Sequence, residues 1–169
     1  FGIYPGVWEI IVENMRQKLM QFAQQDVTQL ENFIPTYFER EITAHPTDQM
    51  PVRLRGIIDR IDIDKTKKLF RIIDYKSTKK GTNNLAKDFF TLLVFQPILY
   101  VWLAQQTSDL QGYSSGGSCL LSISPYSKRD LTAGAWEQVR PQAAQFILHL
   151  ITCMRAGQFF ISPGVQCTY

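Results

Sequence analysis

Two acidic side chains and one amine are spaced along this chain as a metal-assisted reaction would need them. The word Gly56-Ile57-Ile58-Asp59 is followed, fifteen residues after its aspartate, by Asp74-Tyr75-Lys76. Paired carboxylates suit a hard divalent cation such as Mg²⁺, which takes oxygen ligands and keeps several waters for a substrate phosphate. A lysine beside such an ion can stabilise charge developing on a phosphoryl oxygen or orient an attacking water. The plainer alternative is a surface hairpin with ordinary charge alternation.

The elements that would position these groups can be read from the pattern around them. Residues 54–63 and 69–76 are rich in β-branched and apolar side chains, and the charged stretch between them, Asp64-Lys65-Thr66-Lys67-Lys68, reads as a tight reversal. A loop of two residues (Thr66, Lys67) or of four (65–68) gives one register, with Asp59 opposite Asp74. Side chains alternate along a strand, so Phe70, Ile72, Asp74 and Lys76 share a face, and cross-strand pairing adds Asp59 to it. Directly opposed residues sit about 4.5–5.5 Å apart at Cα. Two carboxylates at roughly 5 Å would repel by about 3 kcal/mol at an effective dielectric near 20, so the arrangement calls for a cation. An unrelated interaction domain that merely imitates the words would instead turn Asp59 and Asp74 to opposite sides of the sheet.

Around the hairpin, Val7, Trp8, Ile11, Met15, Leu19 and Phe22 recur at helical spacing and predict an amphipathic helix over residues 6–25. Residues 37–44 read as a strand. Residues 85–105 are apolar nearly all round and predict one buried helix, kinked at Pro97; Gln96 and Tyr100, four apart, share one of its faces. Ser114-Ser115-Gly116-Gly117 reads as a flexible turn, and residues 119–124 as a short strand. Trp136, Val139, Ala143, Phe146, Ile147, Leu150 and Met154 stripe a closing helix, with Pro141 marking its kink or its start. The predicted order α-β-β-β-α-β-α is a mixed α/β sheet flanked by helices.

Composition fits one domain over residues 1–169. With 169 residues, 45% of them hydrophobic and 20% charged, the chain can bury a single core, and no uninterrupted apolar run suggests a membrane span. The net charge is only +3, but it is unevenly placed: residues 53–87 hold eleven of the 18 basic residues against four aspartates. Such a field would attract a phosphate backbone without reading bases; the other role for Lys65, Lys67 and Lys68 is to guard a strand edge. The polar stretch after the motif lysine, with Lys79 and Lys80, is the better candidate for contact with DNA. Three cysteines, with no signal-like segment, point to a reducing cytoplasm and not to a disulfide scaffold.

Taken in order, Gly-x-x-Asp, Ile72-Ile73-Asp74-Tyr75-Lys76-Ser77 and Gln96-Pro97-Ile98-Leu99-Tyr100 resemble the RecB-type branch of the PD-(D/E)XK nuclease superfamily, and within it the nuclease domain of AddB-type helicase-nuclease subunits. The resemblance implies a restriction-endonuclease-like core and Mg²⁺- or Mn²⁺-dependent hydrolysis of DNA. It implies Asp59, Asp74 and the Tyr75 carbonyl as metal ligands, and Asp59, Asp74 and Lys76 as the catalytic set. Glu41, Gln96 and Tyr100 would lie near the site. A DNA repair or recombination protein with a helicase or nuclease partner domain or subunit is the implied setting. The alternative is a catalytically silent relative that binds DNA or a partner subunit.

Two departures stand out. Proteins with this signature commonly bring a metal-binding histidine from a helix before the first strand, whereas residues 6–25 hold none; His45 and His149, the two histidines present, match no such position. A segment upstream of Phe1 is the expected source. At the other end, the approach Ser162-Pro163-Gly164 to Cys167 resembles the start of an iron-sulfur cysteine trio, and makes Cys167 a candidate cluster ligand in an intact parent protein. Four thiolates are the usual requirement, so Cys119, Cys153 and Cys167 cannot build a cluster by themselves.

Overall fold

The computed structural model describes residues 4–45, 52–76, 84–90, 94–123 and 125–158. Helix α1 (Pro5–Thr28) leads into strands β1 (Ile34–Ala44), β2 (Leu54–Asp64) and β3 (Leu69–Lys76), then helices α2 (Leu85–Phe90) and α3 (Gln96–Ala104). A 3₁₀ turn (Ser108–Leu110), strands β4 (Ser114–Ile123) and β5 (Tyr126–Thr132) and helix α4 (Ala133–Arg155) follow. The five strands form one sheet in the order β1-β2-β3-β4-β5, antiparallel except for the parallel pair β3–β4. Parallel neighbours need a long crossover, and here α2 and α3 supply it. This is the mixed α/β sheet with flanking helices that the sequence predicts, consistent with a restriction-endonuclease-like fold.

The two faces of the sheet are covered differently. On one, Ile61, Ile63, Phe70, Ile72 and Leu120 meet Phe89, Ile98, Val101, Leu103, Trp136 and Ile147 from α2, α3 and α4 in the main core. On the other, Ile73, Cys119 and Leu121 form a smaller cluster capped by Phe22 of α1 with Tyr75 and Tyr126. Upstream of Phe22 the apolar stripe of α1 stays largely open to solvent; Trp8, Met15 and Leu19 are each about half exposed.

The β2–β3 hairpin has the register read from its sequence, from Arg60↔Ile73 to Asp64↔Leu69. Its reversal is the four-residue loop 65–68, closed by Lys68 in the left-handed region at φ 51. Asp64 organises the turn. Its Oδ1 accepts from Thr66 Oγ1 (2.5 Å), Thr66 N (2.9 Å) and Lys67 N (3.0 Å), and these bonds, the Thr66 hydroxyl first, hold its carboxyl below the ordinary aspartate value.

Three expectations are corrected. Residues 85–105 do not make one kinked helix. They contain two helices, and Pro97 stands at the start of the second, where a missing N–H costs nothing. Ser114–Gly117 opens β4 instead of forming a flexible turn: Gly117, at φ 99, takes a conformation suited to glycine, and a Cβ on Gly116 would press to 3.0 Å on both the Phe33 ring and the Phe70 carbonyl. The strand β5 is absent from the predicted order. Its sequence, Tyr-Ser-Lys-Arg-Asp-Leu-Thr, hides alternation behind charge, because buried Arg129 reaches buried Asp88 of α2 at 3.3 Å. Pro141 lies inside α4, whose start is capped by Thr132 Oγ1 accepting from Ala135 N at 3.2 Å. Among the described residues no helix is long and apolar enough to cross a membrane.

Because the Asp64 carboxyl is held low in the folded state, its contribution is present above an unfolded pKa of about 4 and is lost as pH falls through the lower folded value. Asp64→Ala is therefore expected to lower the thermal midpoint at pH 7 by about 2–4 °C, with the gap to wild type closing as pH drops below about 4. Melting curves across pH 2–7 check this; a gap that stays constant with pH would refute the capping role.

Candidate active site

At the C-terminal end of β3 the described part of the β2–β3 ladder stops, with Arg60↔Ile73 as its last pair. Beyond it, the N–H of Tyr75 donates to Asp59 Oδ2 at 2.8 Å. The side chain of Asp59 thus takes a backbone donor of β3 and sits beside the motif. Strand β2 is irregular here. Gly56 faces α3, and Ile58 joins the same core as Ile61 and Ile63, so the two-residue alternation slips once between Ile58 and Ile61. Across from the slip, between Phe38 and Arg40 of β1, Glu39 adopts a left-handed φ of 46. Asp59 lies within the slip, close enough for its charge to act on Asp74.

Asp74 is 3% exposed, and Lys76 Nζ lies 2.5 Å from its Oδ2. That approach is poorly aligned, for the same buried oxygen has no hydrogen bond of good geometry among the described residues. Burial is the main force holding the Asp74 carboxyl above its ordinary value; the Lys76 bond and charge oppose it, and the Asp59 charge adds to it. Lys76 also donates to Gln96 Oε1 at 2.8 Å, and Gln96 Nε2 donates to Tyr100 Oη at 3.2 Å. The first turn of α3 therefore orients the lysine. Gly56 makes this possible: a Cβ there would lie 2.8 Å from Tyr100 Cε1 and 3.3 Å from Leu103 Cδ1. The glycine of the Gly-x-x-Asp word is the gap that lets α3 lie close against β2.

The donors fit a hard divalent cation in kind. Asp59 and Asp74 offer carboxylate oxygens, one of them buried without an aligned partner among the described residues, and Tyr75 has a backbone carbonyl between Asp74 and Lys76. Among the described residues no group of three His, Cys, Asp or Glu side chains gathers at one place.

The structure does not bring every singled-out residue to this place. Glu41 alternates away from Ile42 and pairs with Arg55 Nη2 at 2.7 Å on the exposed side of the β1–β2 pair. His45 is exposed and lines a cleft of about 370 Å³ with Tyr37, Arg40 and Gln106, a cleft that includes none of Asp59, Asp74 and Lys76. His149 on α4 approaches Cys153 Sγ at 3.6 Å. Cys119 is fully buried, and burial pushes its thiol well above its usual range. Lys79, Lys80 and Cys167 lie outside the described residues.

The basic field expected over residues 53–87 is also weaker than its count. Arg60 and Arg71 are buried in ion pairs with Asp62, and Arg55 is paired with Glu41. Sequence reasoning missed the buried pairs and the α1 residue that joins them, Asp26, which contacts Arg60 at 2.5 Å. The available signal was alternation: Arg60 and Asp62 occupy the face of β2 opposite Ile61 and Ile63.

A protein-family profile, that of the PD-(D/E)XK nuclease superfamily, matches residues 3–169. The chain belongs to the PD-(D/E)XK nuclease superfamily. In this superfamily member, two carboxylates and a lysine stand on the neighbouring strands β2 and β3. No match is found among curated proteins.

Gly56→Ala is expected to force Tyr100 and Leu103 away from β2. Overpacking of this kind typically costs about 1–3 kcal/mol, measurable as a fall in the urea midpoint. Unchanged stability would mean that α3 does not depend on this gap.

Proposed function

We propose that the chain is the nuclease domain of a RecB-type protein, most like AddB-type helicase-nuclease subunits, and that it hydrolyses DNA phosphodiesters with Mg²⁺ or Mn²⁺. Residues 1–169 form one such domain of a longer DNA repair or recombination protein. The observation that carries this reading is the set of Asp59, buried Asp74 and Lys76 at the end of one hairpin, with an Asp74 oxygen that finds no aligned donor among the described residues.

Asp59, Asp74 and the Tyr75 carbonyl would hold the cation. When bound, it supplies Lewis-acid charge at a phosphoryl oxygen and makes a nearby water easier to deprotonate. Lys76 does the rest of the electrostatic work from the protein side. Its ammonium has three donors; among the described residues it lies against Asp74 and donates to Gln96, and the side chain remains 34% exposed, so it can also reach a phosphoryl oxygen or the attacking water. Gln96 keeps its carbonyl oxygen toward the lysine because its amide nitrogen is spent on Tyr100. Contacts from these residues to phosphate would position a strand without reading its bases.

Asp74→Ala and Lys76→Ala are each expected to lower kcat for Mg²⁺-dependent cleavage of single- or double-stranded DNA by about 10²-fold or more. Gln96→Ala should have a smaller effect of the same sign. Wild-type rates in both Asp74→Ala and Lys76→Ala would end the catalytic assignment.

A further inference from the structure

The face of the hairpin turned away from Asp74 carries a compact ionic cluster. Arg60 Nη1 donates to Asp26 Oδ2 (2.5 Å) and to Tyr75 Oη (2.7 Å); its Nη2 reaches Asp26 Oδ1 and Asp62 Oδ2, both at 3.1 Å. Arg71 Nη2 donates to Asp62 Oδ2 at 3.1 Å and its guanidinium lies 4.4 Å from the centre of the Phe33 ring. The four charged side chains are between 0% and 13% exposed. Phe22, one turn before Asp26 on α1, packs edge-on against the Tyr75 ring at 5.7 Å. Burial opposes the Arg60 charge most strongly, yet the Asp26 bond and the charges of Asp62, Tyr75 and Asp26 outweigh it and keep the guanidinium firmly protonated.

The two residues that this cluster grips are the chain neighbours of the candidate ligands. Arg60 follows Asp59 in β2, and Tyr75 stands between Asp74 and Lys76 in β3. The ladder between the two strands gives out at Arg60↔Ile73, and the next connection is the Tyr75 N–H on the Asp59 carboxylate. On either side of this point β3 stays paired with β4 and β2 with β1, so what is missing is a restraint between β2 and β3. A guanidinium is suited to give it, because its donors form a rigid planar fork, and here the fork spans three elements: α1 through Asp26, β2 through Asp62 and β3 through Tyr75.

We propose that Arg60, Asp26 and the Tyr75 hydroxyl form a positioning clamp that fixes the backbone behind the acids, and so sets the Asp59 carboxylate and the Tyr75 carbonyl for a divalent cation. The inference rests on the nuclease reading and deepens it: α1 contributes no ligand from its described side chains, but it tunes the site from behind. Outer partners of this kind typically change metal affinity by about 10–100-fold.

The test uses the full chain, with Mn²⁺ as the probe, and compares wild type with Asp26→Asn, Arg60→Lys and Tyr75→Phe. Titration calorimetry should show Mn²⁺ affinity reduced about tenfold or more in Asp26→Asn, with Tyr75→Phe affected less. On DNA, kcat at limiting Mn²⁺ should fall while KM for DNA stays put, and saturating Mn²⁺ should return part of the rate. A merely structural role would lower the melting temperature and leave the affinity of the folded protein alone. Tyr75→Phe removes a single hydroxyl, so it keeps the question open to measurement if Asp26→Asn does not fold. Affinity and kcat within twofold of wild type in the folded variants would overturn the clamp. The nuclease reading fails separately, and takes the clamp with it, if the wild type neither binds Mn²⁺ nor cuts DNA while remaining folded.

Discussion

Putting Asp59 and Asp74 together at the end of a hairpin is the constraint from which the rest of the site follows. Like charges on neighbouring strands destabilise a sheet, and Asp74 is also buried, which holds its carboxyl up against ionisation. Every contact around the pair answers that cost. The Tyr75 N–H takes one Asp59 oxygen, the Lys76 ammonium lies against Asp74, and Gln96 holds the ammonium there. The lysine can do so because Gly56 has no side chain to keep α3 at a distance. Such a pair concentrates negative charge where a cation would go.

The sheet divides labour between its sides. Over β2 and β3, the side under α3 combines an apolar core with Asp74 at its edge, while the α1 side ties two arginines to two aspartates. A buried ionic cluster is a poor source of stability compared with well-packed apolar residues, but removing one member leaves an uncompensated charge. The cost of disturbing the Arg60 network is therefore high, whatever its net contribution, and the helix that closes it is held in one place.

Much of this was legible in the sequence because the β2–β3 hairpin is local. Alternation and a short polar reversal determine which residues face each other, so the register from Arg60↔Ile73 to Asp64↔Leu69 and the span of β3 could be read directly. The rest depends on partners far along the chain. Arg60 and Arg71 look like surface charge until Asp26 and Asp62 are brought to them, and β5 looks like loop until Arg129 finds Asp88 on α2. Apolar residues dominate 85–105 on every side, so periodicity could not show where one helix ends and another begins; Pro97, read as a kink, is a helix start. Glu39 is the hardest case. Nothing about a glutamate in a strand announces a left-handed backbone.

The parallel pairing of β3 with β4 has a temporal side. It requires α2 and α3 to be threaded between the two strands, so Gln96 leaves the ribosome twenty residues after the lysine it orients. During synthesis the whole hairpin emerges before that amide does. A nascent chain interrupted before α3 thus carries both carboxylates and the amine, but without the support that aims it.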